Sequence, residues 1–144
     1  MYKILILAGG YSNEREISLI TAKSVLKELK KNTRYKFLLT DPDGNFVKTL
    51  RHFRPDLVLN LLHGRYGEDG YIQSILESEK VKYTHSGVLS SSLAIDKEIS
   101  KKIFIKNGIL TPSYFKFSFI NNFNLKNLIK KIDKKLKFPV VLKP

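Results

Sequence analysis

Three stretches of this chain carry residue types that could act on a small charged molecule. Gly9-Gly10-Tyr11-Ser12-Asn13-Glu14-Arg15-Glu16-Ile17-Ser18 offers two carboxylates where a helix is about to begin. His63-Gly64-Arg65-Tyr66-Gly67-Glu68-Asp69-Gly70 sets an imidazole at the end of an apolar run, followed by three glycines. Lys97, after Ala94-Ile95-Asp96, and Lys143, closing Val140-Val141-Leu142, are cations at the ends of ordered-looking segments. A carboxylate that meets an imidazole can grip a zwitterion: Glu14 against an ammonium, His63 beside an acid group. Glu16 has a plainer reading, since a negative charge in a first helical turn is favoured by the macrodipole. Lys97 sits where a helix start disfavours a cation unless an anion is bound, and with Lys143 it could hold a polyphosphate.

These groups need elements to position them. Lys3–Ala8, Tyr35–Leu39 and Leu57–Leu62 read as short strands, with a shorter one at Val81–Thr84. Helical apolar spacing runs from Glu16 to Lys31 and from Asp69 to Ser78, with a short helix over residues 46–53. The alternation of strand and helix predicts an α/β fold, a small parallel sheet covered by helices on both faces. In such sheets ligands collect beyond the carboxyl ends of the strands, which is where Glu14 and His63 would both lie. Ser86-Gly87 looks like a boundary, giving domains at residues 1–87 and 88–144. The later part reads as a helix Lys97–Asn107, a strand near Tyr114–Phe117, a helix Asn124–Leu136 and a last strand over residues 138–143. The segment after residue 90 is expected to be less ordered than the first domain.

Several classes can be set aside. The glycine-rich turn after the first strand lacks both the G-x-G-x-x-G spacing and a G-K-[ST] ending. No second His, Asp or Glu stands at ligand spacing from His52, His63 or His85, and there is no cysteine, so no metal site is expected within this span. A net charge of +13 invites thoughts of nucleic acid, but the lysines spread over helical polar faces rather than one aromatic-laced patch. No apolar run reaches the roughly 20 residues of a membrane span. No nucleic-acid or membrane partner is therefore expected, and the absence of cysteine fits a reducing, cytoplasmic setting.

G-G-Y-S-N-E-R-E-I-S, L-H-G-R-Y-G-E-D-G-Y-I-Q, Y-T-H-S-G-V-L-S-S-S-L-A-I-D-K, G-I-L-T-P and F-P-V-V-L-K-P together resemble, in order and spacing, the D-alanine–D-alanine ligases of the ATP-grasp superfamily. The resemblance implies a Rossmann-like amino-terminal domain followed by an incomplete central ATP-grasp subdomain. It implies ATP-dependent joining of two D-alanines through an acyl phosphate, for peptidoglycan, by a homodimer. Glu14 would bind the ammonium of the first D-alanine, Ile17 would pack near its methyl group and His63 would lie by its carboxylate. Lys97 and Lys143 would contact ATP phosphates, while the Mg²⁺ ligands fall in a later part of the family's chain. A truncated, inactive piece of the ligase is thus expected. The alternatives are a ligase adding D-lactate or D-serine, and an amino-acid-binding module without catalysis. Two positions depart from the family pattern: His85 and Ala22 each stand where glycine is usual.

Overall fold

In a computed structural model that describes residues 1–118 and 124–143, the chain divides into two compact units, Met1–Lys97 and Glu98–Pro144. The first unit is built on a parallel sheet of β1 (Tyr2–Leu7), β2 (Tyr35–Thr40) and β3 (Leu57–Asn60), in the order β2-β1-β3. Central β1 contributes Leu5, Ile6 and Leu7, all fully buried, which is the apolar run expected of a strand covered on both faces. The segment Val81–Thr84 extends the sheet beyond β3 through a parallel bridge between Val58 and Tyr83. Its contact is that short because only the Val58 N–H to Lys82 and the Thr84 N–H to Val58 are exchanged.

Alternation along β1 divides the core in two. Leu5 and Leu7 pack with Phe46 and Leu50 of α2 (Phe46–Phe53) and with Ile72 and Leu76 of α3 (Tyr71–Ser78). Ile4, Ile6 and Ala8 face the other way, onto Ala22 of α1 (Arg15–Leu29). Ala22 is almost wholly buried there, so a small residue lets α1 close on the sheet. Each helix follows its strand at the same edge, which gathers the β1–α1, β2–α2 and β3–α3 connections along one rim.

α4 (Val88–Ile95) was not foreseen in the sequence, because Ser90-Ser91-Ser92 has the look of a loop. The serines are absorbed locally: buried Ser91 donates its hydroxyl to Ser86 O, and Ser92 donates to Asp69 O. These bonds tie α4 to the Ser86 and Asp69 backbone of the first unit, Met1–Lys97.

The second unit holds α5, most of Lys97–Lys106, and α6 (Leu125–Lys135). Asn124 caps α6 by accepting the Asn127 N–H on its side chain. Two expected strands correct to irregular chain: residues 114–117 and 138–143 pair with no strand among the described residues. Instead, Phe115 and Phe117 stack at 6.5 Å, and Lys101 donates to Thr111 Oγ1 and Pro112 O. Glu98 takes hydrogen bonds from Lys102 and Lys116, which together hold its carboxyl down at about 2.

Candidate functional site

The rim acquires its shape from one buried hydroxyl. Ser18, fully buried on α1, accepts the Gly9 N–H at 2.9 Å and donates to Leu61 O at 2.7 Å. It thereby ties the ends of β1 and β3 to the first turn of α1. Gly9 and Gly10 turn with φ of +97° and +78°, conformations that favour glycine. Asp41, just past β2, fixes the turn by accepting the Gly10 N–H and pairing with Arg15 at 2.5 Å.

Glu14 stands at the N-cap of α1 without using its carboxylate on its own helix. That carboxylate lies against Gly64, where a Cβ would collide with Glu14 Oε2. Gly64, at φ +69°, is the residue after His63, so glycine is what allows the acid to approach the imidazole-bearing loop. A backbone relay joins the same two segments. The Glu14 N–H donates to Ser12 Oγ at 3.1 Å, and the Ser12 hydroxyl donates to His63 O at 2.7 Å. Half-buried His63 has its Nε2 3.3 Å from Thr21 Oγ1, which lies about two helical turns beyond Glu14 on α1. Glu14 and His63 are thus brought to one stretch of rim. Ile17, about one turn on from Glu14, is exposed on the same helix.

The glycine loop is held from below. Asn60 Nδ2 and Gln73 Nε2 both donate to Gly67 O at 2.9 Å, and Asn60 Oδ1 accepts the Leu62 N–H. Glu68 and Asp69 are consumed by the loop itself, accepting the Gly64 N–H and the Tyr66 and Tyr71 N–H groups. Lys97 begins α5 and Lys143 lies near the carboxyl end of the second unit, both exposed. Ser12, Ser18, Thr21, Asn60 and Gln73 were not singled out in the sequence. Ser18 alone left a trace, as a small polar residue four positions before Ala22 on the sheet-facing stripe of α1. Among the described residues no cluster of three or more His, Asp or Glu is placed to hold a metal ion, and no helix is long and apolar enough to cross a membrane.

A parallel sheet with helices on both faces and a carboxylate and an imidazole on its rim defines an α/β unit, and comparison narrows the class. The chain is homologous to the D-alanine–D-alanine ligases, an ATP-grasp family. It is 62% identical over 142 residues to the D-alanine–D-alanine ligase of Pelagibacter ubique, covering 99% of this chain and 46% of that protein. Against the D-alanine–D-alanine ligase of Carboxydothermus hydrogenoformans it is 45% identical over 141 residues, 98% of this chain and 45% of that one. The fold is similar to that of the Bacillus anthracis D-alanine–D-alanine ligase crystallised with ATP, with a TM-score of 0.71 and 34% identity over 90% of this chain and 44% of that one. The chain therefore spans just under half the length of the curated relatives it matches. No family profile matches it.

Proposed function

We propose that this chain supplies the part of a D-alanine–D-alanine ligase that holds the first D-alanine, and that the whole protein makes the dipeptide for peptidoglycan at the expense of ATP. The observation that carries the reading is the approach of the Glu14 carboxylate to the loop bearing His63. A D-alanine seated there would set its ammonium on Glu14, its carboxylate toward His63 and its methyl group near Ile17. Homology to ligases, one of them crystallised with ATP, supplies the reaction class.

In that reaction a carboxylate oxygen of the first D-alanine attacks the γ-phosphorus of ATP, and ADP leaves. The amine of the second D-alanine then attacks the acyl carbon, loses a proton, and the tetrahedral species expels phosphate. This chain's share is positional. Glu14 and His63 would hold the acid still while its oxygen is aligned, the kind of orientation that accounts for much of an intramolecular advantage. Lys97 and Lys143 would offset phosphate charge.

The test is a chemical-shift titration of the 144-residue chain with D-alanine and with L-alanine. Weak, saturable shifts at His63, Gly64 and Glu14 are expected with the D-isomer, and they should vanish in Glu14→Gln with the fold retained. Indifference of those signals to D-alanine, or unchanged shifts in the variant, would remove Glu14 from the site. The same chain given ATP, Mg²⁺ and D-alanine should release no ADP. D-alanine-dependent ADP release would overturn the assignment of this piece as inactive alone.

A further inference from the structure

The rim has a second hollow that the amino-acid reading leaves unused. Beside His63, on the α2 and α3 side of the sheet, a cleft of about 610 Å³ opens between the turn at Gly9–Tyr11, the turn at Pro42–Gly44 and the loop Leu62–Gly67. That volume suits a small organic molecule. Glu14 does not line it, whereas His63 does, so the imidazole stands between two places.

The chemistry of its walls is specific. The floor is Phe46, Leu62 and Ile72, all buried core residues and therefore a fixed apolar base. The sides carry Tyr11, Tyr66 and Tyr71, three exposed rings on one small surface. Tyr66 and Tyr71 meet edge to face at 5.3 Å. Tyr66 holds its ring there from a backbone at φ +67°, where a non-glycine residue is uncommon. Arg65 lays its guanidinium 5.0 Å from the Tyr66 ring and makes no ion pair among the described residues. A free, planar cation beside aromatic rings suits a carboxylate attached to a ring. A di- or triphosphate is disfavoured. The N–H groups of Gly9 and Gly10 already serve Ser18 and Asp41, and Asp43 adds negative charge to the wall.

We propose that this cleft is a second small-molecule site, taking an aromatic carboxylate whose ring lies among the tyrosines and whose acid group pairs with Arg65. The probe is 3-phenylpropionate, with the uncharged 3-phenylpropionamide as its partner, titrated into the 144-residue chain and followed by amide chemical shifts. The acid should give saturable shifts at Phe46, Tyr66, Gly67 and Ile72, and the amide should bind about tenfold more weakly, the worth of one charge-assisted contact. Arg65→Gln should lower affinity for the acid about tenfold and leave the amide unaffected. Val47→Trp, which fills the cleft, should abolish both, and Glu14→Gln should change neither. The last arm separates failure here from failure of the D-alanine reading. Absence of saturable shifts, equal binding of acid and amide, or full affinity in Arg65→Gln would overturn the proposal. Because Arg65 is exposed, that variant decides the matter even if Val47→Trp does not fold.

Discussion

His85 shows how a single side chain can be at odds with its own backbone. It stands at φ +85°, the left-handed region, exposed and just past the segment that bridges to β3. Among the described residues its ring makes no hydrogen bond or ion pair, and the related ligases were expected to carry glycine at this point. His85→Gly should therefore raise the stability of the first unit by about 0.5–1 kcal/mol, the relief of strain outweighing the entropy glycine adds to the unfolded chain. A rise in the midpoint of thermal unfolding checks this, and a fall would show that the histidine side chain holds something in place. The conflict was visible in the sequence as a residue type standing in a glycine position. Glu14 and His63 were visible in the same way, as chemistry-bearing types beside strand ends. The groups that make them meet were not. Ser12 and Thr21 act on His63 through one carbonyl and one ring nitrogen, and hydroxyls at such positions have no period or spacing to betray them.

Among the elements, the register of α1 against the sheet decides where the rim lies, and Ser18 sets that register. Its fully buried hydroxyl satisfies the buried Gly9 N–H and the part-buried Leu61 carbonyl. Ser18→Ala would leave the Gly9 N–H and the Leu61 C=O without that partner, and each orphaned buried group costs about 1–3 kcal/mol. The expected result is a loss of that order in denaturant unfolding with the slope unchanged, together with weakened D-alanine shifts at His63. Stability within a few tenths of a kcal/mol of the parent would mean that the rim does not depend on this bridge. In the first unit the strands and helices that the sequence did disclose are β1, β2, β3, α1, α2 and α3, and in the second α5 and α6 were legible as well. α4 stayed hidden because its packing is done by serines bonding to Ser86 O and Asp69 O, a device with no hydrophobic signature. The two expected strands of the second unit show the reverse case. Val140-Val141-Leu142 has strand composition, yet Val141 and Leu142 are largely exposed and no neighbour pairs with them among the described residues. Composition proposes a strand; a partner makes one.

At the scale of the molecule, the two units differ in how much each buries. The first encloses two clusters that share β1, with Leu5, Ile6, Leu7, Val58 and Leu76 shut off from solvent altogether. In the second, Leu128 alone is buried among the described residues from 98 to 143. Its α5 leaves Ile105 exposed, and Leu110 beyond it is almost wholly in water. Local opening is cheap where few apolar contacts must be broken, so protection against amide exchange should follow this division. At neutral pH the amides of β1 and β3 should exchange at least about a hundredfold more slowly than those of α6, after correction for intrinsic rates. The measurement belongs at two protein concentrations, because exposed apolar surface invites self-association that would protect α6 by another route. Equal protection in β1 and α6 at the lower concentration would mean that the second unit is as cooperatively held as the first.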